Sequence, residues 1–80
     1  MNIYRYQFVV TCPSNGEQII YNLEIHSRDK VMVEHIKTAC ALHKNGYHED
    51  IADDLHHRFG GLQIISANHH GVGIESRRGA

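Results

Sequence analysis

The sequence predicts an α+β domain with the element order ββααββ: a four-stranded, largely antiparallel sheet with two helices packed on one face. Residues 3–12 and 17–26 alternate between apolar and polar side chains, which is the period of a half-buried strand. Residues 27–61 instead place apolar residues at helical spacing, and two short β-like runs follow them. We therefore expect one compact domain over residues 1–80, with residues 76–80 as a frayed tail.

The first two strands are expected to form a hairpin around Asn15-Gly16, a dipeptide favoured in two-residue type I′ turns. Such a turn would pair Cys12 with Ile19 and Tyr6 with Ile25, so that inward-facing residues meet across the strands. Pro13 would then lie beside Gln18. Because proline cannot donate to a sheet ladder, the first strand is predicted to lie at an edge.

The first helix is predicted to follow Ser27, which can act as its N-cap, and to end at Asn45-Gly46. Five residues at helical spacing are expected to face the sheet: Met32, Ile36, Ala39, Cys40 and His43. The second helix is predicted over about His48–Phe59 and is stopped by Gly60-Gly61. Its acidic first half and basic last turn both suit the helix dipole.

Residues 62–67 and 72–76 are predicted to form the last two strands, joined by a turn over residues 68–71. The register of this hairpin stays open, because either Leu62 and Ile64 or Ile65 and Ala67 can face the core. The outer face of the sheet would carry Ile3, Val9, Ile20 and one of Ile64 or Ile65. That is more aliphatic than a solvated face usually is, so a homodimer or another partner could cover it. Scattered apolar residues on a solvated face explain it equally well.

Composition narrows the class of function. With 41% hydrophobic residues and a formal charge of −1, the chain is globular and too weakly basic to reach nucleic acid by bulk charge. It has no apolar run that would span a membrane and no signal-peptide pattern, so a cytoplasmic protein with reduced Cys12 and Cys40 is expected. The eight histidines would move the formal charge from −1 to +7 if all were protonated. Buried neutral histidines would make the fold less stable near pH 5–6.

Two chemical hypotheses use Cys40. A zinc site could draw on four residues of the helical pair, namely Cys40, His43, His48 and either His56 or His57. The pairs His56-His57 and His69-His70 are a second possibility. Structural zinc sites usually carry more thiolates at tighter spacing, so satisfied or exposed histidines are the favoured interpretation and we expect no bound metal or cofactor. A Cys40–His43 dyad would need an open cleft, whereas Cys40 lies on the predicted core stripe, where a thiol is inert. We expect no catalytic residues.

Residues 46–55 resemble the first helix of a helix-turn-helix, with Ile51, Ala52 and Leu55 at the packing positions. The resemblance covers about ten residues. A recognition helix should follow in that motif, but Gly60-Gly61 and a β-like run follow here, so the resemblance implies no DNA-reading element.

The favoured interpretation is a small non-catalytic interaction module, a regulator or inhibitor of the kind carried by phages and other mobile elements, that binds a protein partner and forms a homodimer. Four clustered carboxylates of the second helix form a candidate acidic patch for docking: Glu49, Asp50, Asp53 and Asp54. Their plainest alternative is a solvated face that suits the helix dipole. A nucleic-acid-binding regulator is the second interpretation of the chain, and a zinc-binding module is the third.

Overall fold

The computed structural model describes residues 1–79 and confirms the expected α+β fold. The elements follow in the predicted order: β1 (Asn2–Thr11), β2 (Gln18–Ser27), α1 (Val33–Ala41), α2 (His48–Phe59), β3 (Leu62–His69) and β4 (Val72–Arg78). The four strands are antiparallel and lie in chain order, β1-β2-β3-β4. α1 contacts β1, whereas α2 contacts β3 and β4. The core therefore lies between one face of the sheet and the two helices.

The predicted register of the first hairpin is wrong by two residues. Val10 faces Ile19, and the Cys12 N–H donates to the Glu17 carbonyl at 2.7 Å. Residues 13–16 thus form a four-residue loop, in which the Asn15 side chain accepts a hydrogen bond from the Glu17 N–H. Because the error is an even number of residues, the same side chains still face the core, and the alternation alone could not reveal it.

β1 lies at an edge of the sheet, as predicted. The prediction placed Pro13 within the paired part of the strand, however, and this position was wrong. Pro13 belongs to the loop and does not lie beside Gln18, which instead pairs with Thr11. A proline in the loop does not interrupt the ladder between β1 and β2. All ten residues of β1 therefore pair with residues of β2.

α1 is shorter at both ends than predicted. Ser27 closes β2, and its hydroxyl accepts a hydrogen bond from the Asp29 N–H at 3.1 Å, so it forms a local turn and caps no helix. Met32, expected in the core stripe, is 56% exposed at the start of α1. The helix ends at Ala41, and Asn45 forms a parallel bridge with Thr11. The segment between the two helices therefore lies alongside the end of β1 and does not continue α1.

α2 spans the predicted residues and ends at two glycines with positive φ, 64° at Gly60 and 69° at Gly61. At Gly61 a side chain would collide with the backbone carbonyl of His26. The sharp turn from α2 into β3 thus depends on the absence of a side chain as well as on glycine's freedom to adopt positive φ.

In the second hairpin Ile65 and Ala67 face the core, and Ile64 faces outward. β4 extends to Arg78, so residues 76–78 belong to the sheet and not to the expected frayed tail. The Arg78 Nε donates to Asp53 of α2 at 2.7 Å, which ties the end of β4 to the helix layer. Ala80, the last residue of that expected tail, lies outside the described residues.

Candidate functional site

Two of the four acidic residues of α2 already have partners within the chain. Asp54 accepts hydrogen bonds from His43 at 2.7 Å and from Arg58 at 2.9 Å, and Asp53 pairs with Arg78. Burial raises the pKa of Asp54, but the hydrogen bonds from Arg58 and His43 outweigh it and hold the pKa below its ordinary value. Asp53 and Asp54 are therefore structural contacts as well as candidate docking residues.

The other two carboxylates, of Glu49 and Asp50, are exposed and form no ion pair within residues 1–79. They lie in the first turn of α2, beside Tyr47, which is 56% exposed. A depression of about 470 Å³ is lined by these three residues together with His48, His69 and Ile74. We call Tyr47, Glu49 and Asp50 the acidic corner; its negative charge and exposed aromatic ring suit a basic side chain.

Sequence reasoning missed that His48 is a core residue. It is 5% exposed, and neither ring nitrogen has a hydrogen-bond partner in the part of the chain that the structure describes. Its ring lies 5.3 Å from that of Tyr21 and 5.6 Å from that of His69, measured between centroids. Burial lowers the pKa of His48, and a positive charge on His69 would lower it further. His48 precedes Ile51 and Leu55 at helical spacing, a signal that would have placed it on the buried stripe.

The four zinc candidates do not come together. No group of three or more histidine, cysteine or acidic residues within residues 1–79 is arranged to hold a metal ion. Cys40 is buried, His48 packs against Tyr21 in the core, and His43 is bonded to Asp54. Burial raises the pKa of the Cys40 thiol to about 12, so Cys40 is a packing residue and a poor nucleophile.

The outer face of the sheet is mixed and is not a continuous apolar surface. Arg5 pairs with Glu24, and Gln7 donates a hydrogen bond to Asn22, so polar contacts fill the middle of the face. Its exposed apolar residues lie at the two ends: Ile3 at one, and the directly paired Val9 and Ile20 at the other. Polar side chains therefore separate the exposed apolar residues of this face within one chain.

The edge of β1 is different, because its backbone groups are open. The bond from Cys12 to Glu17 marks alternate residues of β1 as hydrogen-bonded to β2, so the residues between them direct N–H and C=O outward. Thr11 is one of these, and the Lys44 carbonyl and the Gly46 N–H already bind it at 3.0 and 3.3 Å. The next four have no backbone partner within residues 1–79: Ile3, Arg5, Gln7 and Val9. We call these four residues the free edge.

An apolar groove runs beside the free edge. It has a volume of about 320 Å³ and lies between β1 and α1, where Tyr4 and Tyr6 are half-buried and Val33 is 54% exposed. Ile36 and Lys37 complete the α1 side of the groove. A strand added to β1 would place every second side chain into this groove.

The opposite edge of the sheet is protected. β4 has seven residues, with Gly73 inside it and charged side chains at Glu75, Arg77 and Arg78. Short, charged strands containing glycine are the usual protection of an edge against pairing. β1 is longer, has no proline within it, and carries one charged residue, Arg5.

The eight lysine and arginine residues fall into a paired set and an unpaired set. Arg5, Arg58, Arg77 and Arg78 all contact carboxylates. The four cations without a carboxylate partner within residues 1–79 lie in or around α1: Arg28, Lys30, Lys37 and Lys44. This modest positive charge is what residues 1–79 offer to nucleic acid, since β3 occupies the place of a recognition helix after α2.

Comparison with protein-family models, curated proteins and solved structures finds no match to this chain. Among residues 1–79, no helix is long and apolar enough to cross a membrane. Three features of the described residues suit a binding partner: the free edge, the groove beside it and the acidic corner.

Proposed function

We propose that this protein is a non-catalytic interaction module, a regulator or inhibitor, that binds an extended polypeptide along the free edge of β1. The observation that carries the proposal is the coincidence of four residues with open backbone groups and an apolar groove beside them. The backbone groups would supply affinity for any extended chain, and the groove would select its side chains.

The free edge suits binding better than chemistry. A strand added there would form a regular ladder with the N–H and C=O groups of Ile3, Arg5, Gln7 and Val9. Nothing comparable supports catalysis, since the Cys40 thiol is buried with a raised pKa and His43 is engaged by Asp54. The groove of about 320 Å³ lies at the small end of the volumes of ligand pockets, and it has room for one or two side chains of a bound strand.

The acidic corner is a second contact surface of the same proposed function. Glu49 and Asp50 are the two carboxylates of the predicted patch that remain available, and Tyr47 adds an exposed ring beside them. A lysine or arginine of the partner would find charge and an aromatic face together there. Asp53 and Asp54 would act indirectly, by fixing α2 through Arg78 and His43.

The free lysines around α1 favour nucleic acid as the alternative function. Lys30, Lys37 and Lys44 are spaced along the segment that contains α1, and they have no carboxylate partner among the described residues. Binding of this kind would be weak and would decrease steeply with salt.

The test is affinity capture from the lysate of the host, with and without nuclease, using three baits: wild type, Gln7→Pro and Gln7→Ala. Gln7→Pro removes an outward N–H without removing a bond to β2, whereas Gln7→Ala loses only the side-chain contact with Asn22. We expect a partner that survives nuclease, is retained by Gln7→Ala and is lost with Gln7→Pro. Capture that disappears with nuclease would favour the nucleic-acid alternative. Equal capture by all three baits would exclude the free edge as the site that binds the partner.

A further inference from the structure

We propose that the strand accepted by the free edge is β1 of a second copy of this chain, paired antiparallel about a two-fold axis through Tyr6. The inference rests on the proposed function, because it uses the same edge, and adds the identity of the partner and the register. In this arrangement the two sheets join into one eight-stranded sheet, and each copy both donates and receives the same strand.

The register follows from which backbone groups are free. A two-fold axis at Tyr6 pairs Ile3 with Val9 of the partner subunit and Arg5 with Gln7 of the partner subunit, so every residue of the free edge is used. Moving the axis to Gln7 would bring Ile3 opposite Thr11 of the partner subunit, whose backbone groups Lys44 and Gly46 already occupy. Moving it to Arg5 would place two guanidinium groups directly opposite each other, which is unfavourable.

The same register gathers exposed apolar side chains on the outer face. Ile3 is 45% exposed, Val9 is 52% exposed and Ile20, paired with Val9, is 54% exposed. In one subunit Ile3 lies at one end of β1, and Val9 with its β2 neighbour Ile20 lies at the other. Across the two-fold axis Ile3 meets Val9 of the partner subunit, so an apolar cluster of three residues forms at each end of the seam. The mixed outer face of the monomer thus becomes complementary to itself.

The helix-side face is complementary as well. Tyr6 meets Tyr6 of the partner subunit on the axis, and Tyr4 meets Phe8 of the partner subunit. Tyr4 and Tyr6 are half-buried, and Tyr6 already stacks on Phe8 with ring centroids 6.3 Å apart. Cross-strand aromatic pairs stabilise antiparallel sheets, and the groove between β1 and α1 has room for one or two of the incoming side chains.

The decisive experiment is disulfide trapping in a Cys12→Ser background, which leaves only the buried Cys40. On the proposed axis Tyr6 forms a non-hydrogen-bonded pair with its counterpart, with Cα atoms about 4.5 Å apart, which a disulfide can bridge. Tyr6→Cys is expected to give a disulfide-linked dimer under mild oxidation. The matched control Tyr4→Cys, on the same face of the same strand, faces Phe8 of the partner subunit and should stay monomeric. Linkage of Tyr4→Cys but not Tyr6→Cys would overturn the register.

Sedimentation equilibrium of the unmodified chain tests the partner itself. Wild type and Gln7→Ala should show twice the 9.1 kDa chain mass, and Gln7→Pro should raise the dimer dissociation constant about tenfold or more. Circular dichroism shows whether Gln7→Pro folds; if it does not, the disulfide result decides. A wild-type chain that stays monomeric at millimolar concentration would overturn the proposal that the partner is a second copy of this chain. The proposed function would stand separately if Gln7→Pro alone lost a captured heterologous partner.

Discussion

At the scale of single residues, His48 combines deep burial with two unpaired ring nitrogens. Charged and titratable groups face it from every neighbouring element: Tyr21 on β2, His69 on β3, Arg78 on β4 and Glu49 on α2. Burial lowers the pKa of His48 first, and His69 and Arg78 act in the same direction. Glu49 opposes them, as does the nearby Ile65 backbone, although its contact with the ring does not meet hydrogen-bond geometry. The net effect lowers the pKa of His48 and so favours its neutral form in the folded protein.

We expect this burial to make stability depend on pH. The unfolded chain protonates His48 near the ordinary pKa of about 6.5, whereas the folded chain does so at a lower pH. The unfolded state then binds more protons, so the free energy of unfolding falls as the pH drops from about 6.5 toward the pKa of the folded state. Above about pH 6.5, His48 does not make the free energy of unfolding depend on pH. His48→Phe keeps an aromatic ring and should stabilise the fold by about 1 kcal/mol at neutral pH, since it removes unsatisfied nitrogens. Urea unfolding at pH 7.5 and 5.5 should show a larger gain at the lower pH, and an equal gain at both would contradict the mechanism.

The two cysteines should differ sharply in reactivity. Burial raises the pKa of Cys40 to about 12, while hydrogen bonds from Ser14 lower the pKa of the partly exposed Cys12. Because the thiolate is the reactive species, iodoacetamide at pH 8 should modify Cys12 in the native protein and reach Cys40 only on unfolding. Peptide mass spectrometry after timed quenching measures both rates in one sample, with a urea-unfolded aliquot as the control. Rapid native modification of Cys40 would reopen the catalytic hypothesis.

At the scale of elements, the turn from α2 to β3 depends on Gly61. Gly61→Ala would meet the backbone carbonyl of His26 and would also hold alanine at a φ of 69°. We expect it to cost about 3 kcal/mol of unfolding free energy, the upper end for one strained residue. Gly71→Ala is the matched control: φ is 84° there, but the added carbon meets no atom within 4 Å. It should cost about 1–2 kcal/mol, the backbone strain alone. Chemical denaturation measures both, and equal losses would show that the close approach to β2 is unimportant.

The acidic corner also allows a matched comparison between two helix starts. Glu49→Lys with Asp50→Lys reverses charge in the first turn of α2, and Glu34→Lys does the same in the first turn of α1. Each reversal should cost about 0.3–1 kcal/mol through the helix dipole. If the acidic corner docks a basic partner, only the α2 variant should also lose affinity by about tenfold or more in a binding titration. Asp53 and Asp54 are unsuitable for this test, because reversing them would break contacts with Arg78 and His43.

The sequence pattern predicted an element well where several independent local signals indicated the same bounds. α2 had apolar spacing, charge order and a glycine stop, and its bounds were predicted correctly. The register of the first hairpin depended on Asn15-Gly16 alone, and Asn15 instead serves a longer loop through its side chain. The predicted bounds of α1 were wrong because Ser27 and Asn45 both have side chains suited to a helix cap. In the fold, Ser27 instead ends β2, and Asn45 forms a bridge with Thr11. The free edge was beyond prediction, since it follows from strand order and from the hydrogen bonds at Thr11.

At the scale of the whole molecule, the free edge predicts an alternating pattern of amide hydrogen exchange. The N–H groups of Ile3, Arg5, Gln7 and Val9 point away from β2 and should exchange rapidly, whereas those of Tyr4, Tyr6 and Phe8 are held by the ladder. Thr11, bonded to the Lys44 carbonyl, should be protected and serves as the internal control. NMR-detected exchange on dilute protein measures this. Uniform protection along β1 at low concentration would contradict an open edge.

The chain order of the strands has a mechanical consequence. Asn2 pairs with Ser27, and Arg78 pairs with Gln63, so residues 2 and 78 lie at the same end of the sheet on opposite edge strands. A pulling force applied to these two residues therefore acts perpendicular to the strands. In this unzipping geometry the hydrogen bonds of the ladders break one after another. A second strand bound to β1 would not strengthen the sheet against such a pull, because β3 and β4 would still separate from the other edge.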